Sequence, residues 1–134
     1  MRQREESLKL LMCLCLVFLC VVGGFLKPAQ AAEPIRIGVV LSISGWGGAI
    51  GTPEREAMVV VAEDVNRKGG VMGRPIELLV EDDQSSPTTA VIAATKLARD
   101  EKVCMVLGPS ISDSGMAMIP IMEKEEVPFP FPVR

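Results

Sequence analysis

Three short runs rich in β-branched residues, each followed by a stretch of helical spacing, limit what residues 34–134 can become. The first run is Ile35-Arg36-Ile37-Gly38-Val39-Val40-Leu41, apolar enough to be buried on both faces of a sheet. A loop rich in glycine and small residues, Ser42 to Gly51, leads to Thr52-Pro53-Glu54. That triplet reads as a helix start: a hydroxyl cap, proline in the first turn and an acid at the positive end of the dipole. Ala57, Val60, Val61, Asp64 and Val65 share one side of this helix at 3.6-residue spacing, and Lys68-Gly69-Gly70 ends it. The unit then repeats. Pro75 to Glu81 is the second strand, and Ser86-Pro87 caps a helix with an inner stripe of Ala90, Ala94 and Leu97. Val103 to Leu107 is the third strand, a third helix runs from Ser114 to Lys124, and a fourth strand begins at Val127. Strands alternating with helices predict an α/β fold: a doubly wound parallel sheet with right-handed crossovers.

The 31 residues ahead of this pattern have a different character. Leu10 to Leu26 is nearly continuous apolar sequence, preceded by Arg2, Arg4 and Lys9. Ala29 and Ala31 supply the small-x-small pattern of a signal-peptidase site, so residues 1–31 read as an export signal cleaved between Ala31 and Ala32. The alternative is a retained membrane anchor, which Gly23, Gly24 and Pro28 near the end of the run disfavour. A lipoprotein site would use Cys20, but Leu19 before it is too large. The expected location is therefore periplasmic or secreted. Residues 32–134 carry ten basic and fifteen acidic side chains, which excludes the electrostatic footprint of a nucleic-acid partner. Cys104 is their only cysteine and lies in an apolar run, so it is expected to be a buried small hydrophobe without a disulfide.

In a doubly wound sheet, ligands bind outside the carboxyl ends of the strands. The candidate loops are 42–52, 82–87 and 108–115. The third offers the hydroxyls of Ser110, Ser112 and Ser114 beside the free N–H groups of a helix start, a combination suited to a carboxylate or phosphate. The competing reading is that Ser112 or Asp113 simply caps its own helix. Glu81-Asp82-Asp83 could be read as paired catalytic or metal-binding carboxylates, but a strand end followed by Gln-Ser-Ser-Pro is an ordinary setting for Asp in a turn. The chain has no histidine, which removes Ser–His and Cys–His nucleophile arrangements. The residues of this segment thus give little support for catalytic chemistry or a cofactor. Gly45-Trp46-Gly47-Gly48 lacks the spacing and the lysine of a phosphate loop. Trp46 either covers a ligand or packs at the sheet edge.

Several segments, taken as a series, resemble the type I periplasmic binding proteins of the branched-chain amino acid transport family. They are residues 35–45, the helix end and strand from Asp64 to Leu78, Glu81 to Pro87, and the loop and helix from Gly108 to Pro120. The resemblance implies the βαβαβα start of the N-terminal lobe of a two-lobed protein that closes on its ligand about a hinge. It implies an extracytoplasmic component that binds an amino acid or similar small amphipathic ligand and delivers it to an ABC permease in the inner membrane. By position, Ser112 matches the family's carboxylate-binding serine, and Ser110 the backbone contact before it. Position 111, often serine in the family, is Ile here, and Ile50 stands where an aromatic residue often covers the ligand. Ser110, Ser112, Asp113, Trp46 and Ile50 form the candidate ligand-binding set. The rival functions are a sensor domain and an exported α/β enzyme with its catalytic residues elsewhere. Pro130, in Val127-Pro128-Phe129-Pro130, falls where a central strand would need a donor. The expectation is a truncated copy that does not bind ligand or fold as a lobe alone.

Overall fold

The computed structural model describes residues 32–130; residues 1–31, where a cleaved export signal is expected, lie outside them. Strands β1 (Ile35–Leu41), β2 (Ile76–Asp82) and β3 (Val106–Leu107) alternate with helices α1 (Gly48–Arg67), α2 (Pro87–Arg99) and α3 (Ser112–Lys124). All pairings are parallel, in the order β2-β1-β3, with Ile35 opposite Ile76 and Gly38 opposite Val106. The predicted α/β sheet is present. Among the described residues, no helix is long and apolar enough to cross a membrane.

The central strand explains the layering. Side chains alternate across a sheet, so Val40 and its neighbours Val39 and Leu41 enter opposite layers, and all three are buried. Val40 joins Ala90, Ala94, Leu97, Val106, Met118 and others in one core under α2 and α3. Ile37, Ile76 and Leu78 face α1 on the other side, where they meet Met58 and Ala62. Leu97 is fully buried, a contribution of roughly 1.5–3 kcal/mol. The α2 stripe expected from spacing is the one observed, and the Ser86 hydroxyl accepts from Thr89 N at its start.

Helix α1 departs from expectation at its start and in its orientation. It begins at Gly48, so Pro53 lies inside it, and Thr52 Oγ1 donates to the Ile43 carbonyl (3.5 Å) instead of capping. The additional turn is possible because glycine lets it press against the end of β1. A Cβ on Gly51 would sit 2.2 Å from the Ser42 carbonyl oxygen. The buried α1 residues are Gly51 and Ala62, whereas Val60 and Val61 are both 62% exposed. Residues 57–62 are apolar all round, so periodicity could not choose a face. Tertiary contacts choose it: the Asn66 side-chain amide donates to Ile76 O (2.8 Å) and accepts from Ile76 N (2.7 Å), pinning the end of α1 to the start of β2.

The third strand is shorter than expected. Val103 N bonds back to Leu97 O at the end of α2, and Lys102 has φ +51°, so the chain joins the regular ladder only at Val106. Cys104 is exposed, not buried: it lies between Val103 and Val106, which both enter the core, while its own N donates to Arg36 O (2.9 Å). Where a fourth strand is expected, residues 127–130 form no regular strand, and Val106 N donates to Pro128 O (3.0 Å). Pro128 and Pro130 have no N–H with which to continue a ladder. α3 starts two residues earlier than predicted, at Ser112.

Replacing Gly51 by alanine is expected to lower stability by about 1–3 kcal/mol, the usual cost of forcing extra volume into packed backbone. Urea unfolding of the full-length protein would measure it; an unchanged midpoint would contradict the contact.

Candidate functional site

The three candidate loops converge, and hydrogen bonds show how. Asp83 is fully buried after β2, and its Oδ1 accepts from the Ser42 hydroxyl (2.6 Å) and from Ser85 N (2.8 Å). Asp82 Oδ1 accepts from Ile43 N (2.9 Å), Ser44 N (3.1 Å) and Gln84 N (2.9 Å). The Ser85 hydroxyl donates to Ser44 O and accepts from Gly47 N. The pair that could have been read as acid–base carboxylates is therefore the clasp between the first and second loops. Among the described residues, no group of three or more His, Cys, Asp or Glu could hold a metal ion.

The third loop joins through Ser110. Its Oγ accepts from Ser42 N (3.2 Å) and donates to Glu54 Oε2 on α1 (2.6 Å). Gly108, at φ +102°, brings the loop against β1 so closely that a Cβ would sit 2.0 Å from the Val40 carbonyl oxygen. Ile111 lies against Gly47, where a Cβ would meet its Cδ1 at 2.8 Å. Ile111 is also the N-cap of α3, and no side chain caps that helix. Ser112 and Asp113 are its first two residues, both exposed, so neither fulfils the self-capping alternative. The α3 N-terminus thus presents backbone donors and the Ser112 hydroxyl where the loops meet.

The other sequence-derived residues fall around this point differently. Trp46 is 73% exposed and not packed at a sheet edge, and Ile50 is 47% exposed on the first turn of α1. Ser114 is fully buried, and its Oγ, like Asp83 Oδ2, has no hydrogen-bond partner. Sequence reasoning missed Glu54, taking it for a dipole-favoured acid in a first turn. Gly51 and Glu54 are one helical turn apart, a signal that becomes readable only once the helix is known to begin at Gly48. Two grooves elsewhere, one beneath α1 and one lined by Met122, Val127 and Phe129, do not include the loop residues.

A parallel α/β layer whose strand-end loops close on an open helix N-terminus defines a ligand-binding lobe. Residues 34–134 match the family described as periplasmic binding protein, and the chain belongs to it, in the type I branch of the Leu/Ile/Val-binding proteins. It is 31% identical over 106 residues to the leucine-, isoleucine-, valine-, threonine- and alanine-binding protein of Pseudomonas aeruginosa, covering 79% of this chain and 28% of that one. It is 32% identical over 84 residues to BasB, a substrate-binding protein of a chemotactic signal transduction system in Halobacterium salinarum, covering 61% and 20%. Among solved structures it is similar to LivJ of Streptococcus pneumoniae, a branched-chain amino acid transporter substrate-binding protein in complex with isoleucine. That likeness has a TM-score of 0.71 at 31% identity, over 72% of this chain and 28% of the other. The chain thus spans less than a third of the length of these relatives.

Burial pushes the Asp82 carboxyl upward, but hydrogen bonds from the Ser44 side chain and from the backbone N–H groups of Gln84, Ser44 and Ile43 outweigh it. The pKa lies below the ordinary 3.8. A depressed folded-state pKa stabilises above the unfolded value, and that stability is lost as pH falls through the folded one. Asp82→Ala is expected to cost about 1.5–3 kcal/mol at neutral pH, the range for hydrogen bonds to a charged group. The gap from the parent should narrow below pH 3.8, as read from urea midpoints across pH.

Proposed function

We propose that this chain is part of an extracytoplasmic solute-binding protein that captures an amino acid for an ABC permease. In this reading residues 1–31 are a cleaved export signal, and residues 32–134 open the N-terminal lobe. The observation that carries it is the uncapped α3 N-terminus at the convergence of the three loops, with Ser112 exposed as its first residue. Unpaired N–H groups and the positive end of a helix dipole favour a carboxylate, and a serine hydroxyl adds one donor. Ser112 and the N–H groups of the following turn hold the ligand carboxylate, and Asp113 borders them. Trp46 and Ile50 are apolar, exposed and placed in the first loop and first helical turn, so they serve the ligand's side chain. A second lobe supplies the opposite wall. The protein performs no chemistry and needs no cofactor: selection of a small amphipathic ligand is its whole task.

The Halobacterium relative supports a second reading, in which the bound solute is reported to a signalling partner instead of being transported. Uptake of labelled amino acid by cells with and without the gene separates the two. Transport predicts a loss of uptake; sensing predicts intact uptake with a lost behavioural response.

Calorimetric titration of the full-length protein with a panel of amino acids is expected to find at least one ligand. Ser112→Ala should weaken it about 10- to 100-fold, the loss of one hydrogen bond to a charged group. No binding across the panel, or full affinity in the variant, would overturn the assignment.

A further inference from the structure

Among the described residues the buried polar side chains are Ser42, Asp83 and Ser114, and none of the three has solvent exposure. Their positions place them in one layer. Registered residues of parallel strands face the same side of a sheet, and every second residue returns to that side. Val40 lies opposite Glu81, and both Val40 and Leu79 pack into the core under α2 and α3. Ser42 and Asp83 are two residues beyond Val40 and Glu81, so they enter this same layer at the carboxyl ends of their strands. The hydrogen bond from the Ser42 hydroxyl to Asp83 Oδ1 (2.6 Å) agrees.

Ser114 reaches the layer from α3. It precedes the buried Met118 and Met122 at four-residue spacing, and both methionines belong to the core that holds Val40. Ser114 is therefore one turn nearer the start of α3, over the end of the core where β1 and β2 stop. Ile111, three residues before it, shows how near α3 comes to Asp83. A Cβ on Gly47 would have Ile111 Cδ1 at 2.8 Å, Ser42 Cβ at 2.9 Å and Ser85 Oγ at 3.1 Å. Ser42 and Ser85 are the two residues that donate to Asp83.

Two atoms of this layer are left over. Both hydrogen bonds to the Asp83 carboxylate end on Oδ1, while Oδ2 and the Ser114 Oγ, though buried, bond to no described residue and not to each other. A buried polar atom without a partner is costly. The carboxylate oxygen needs a donor, and the hydroxyl has one proton to give. A small molecule that donates and accepts at once meets both needs, and water is the one that protein interiors hold for this purpose. We propose that Asp83 Oδ2 and Ser114 Oγ bind one internal water, which fastens the first turn of α3 to the clasp at the ends of β1 and β2. Water donates to Asp83 Oδ2 and accepts from the Ser114 hydroxyl. Ser110, accepting from Ser42 N (3.2 Å), holds the third loop to the same strand end; the water adds an attachment on the core side. The assignment is independent of what the loops bind.

A crystal structure of the full-length protein, at a resolution that shows ordered water, is the direct test. A water within about 2.5–3.0 Å of both atoms is expected. A direct bond between Ser114 and Asp83, a protein group from outside residues 32–130 on either atom, or no water there would each overturn the proposal. In solution, Ser114→Ala and Asp83→Asn, made singly and together, are unfolded in urea. Their effects on the unfolding equilibrium constant are expected to depart from additivity by at least about threefold. Additive effects would show that the two groups share nothing. Should Asp83→Asn fail to fold, the crystal structure of Ser114→Ala decides: the water should weaken or vanish, and an equally well-ordered water would remove Ser114 from the site.

Discussion

A carboxylate with no exposure to solvent ties the end of β1 to the turn after β2. Asp83 would be costly to bury alone, since an ionised group loses its hydration in the interior. It is tolerated because the Ser42 hydroxyl and Ser85 N converge on one of its oxygens, while its own backbone N–H continues the β1–β2 pairing at Leu41 O. Asp82, the next residue back, repeats the pattern at the surface by gathering three backbone N–H groups. Two adjacent residues at the end of an extended strand point to opposite faces. That alternation lets a single Asp-Asp pair clamp the first loop from the buried and the exposed side at once. The third loop depends on the result, because Ser110 is anchored on the backbone of Ser42.

Close backbone contact performs the rest of the assembly. Gly51 and Gly108 allow the first turn of α1 and the loop after β3 to touch the carbonyls of Ser42, just past β1, and Val40, within it, at distances where no side chain fits. The two contacts bring helix starts to the end of the same strand from opposite layers of the sheet. Glu54 from one helix and Ser110 from the loop before the other consequently meet, although 56 positions separate them in sequence.

Much of this was legible in the residues. The strand–helix alternation, the parallel order, the Ala90-Ala94-Leu97 stripe, the Ser86 cap and the three converging loops all follow from short-range pattern. The errors share a cause. The face of α1 could not be read because Ala57 to Ala62 is apolar on every side, and its start was masked by a convincing local signal at Thr52-Pro53. Cys104 is exposed beside the buried Val103, a difference that an apolar run does not reveal. Self-capping by Ser112 or Asp113 is a fair local option, but the N-cap is Ile111, one residue before Ser112 and two before Asp113.

The sequence alone determined the class of fold and the end of the sheet where ligands would bind, because periodicity and turn chemistry act over a few residues. It also carried the resemblance that placed the chain in its family. Only the tertiary structure decided which turn of α1 lies against the end of β1, that Asp82 and Asp83 clasp loops, and that Glu54 accepts a hydrogen bond from Ser110. Those outcomes depend on contacts between residues 38 to 68 positions apart, whose geometry is set by the packing of helices on a shared strand and is not written in the spacing along the chain.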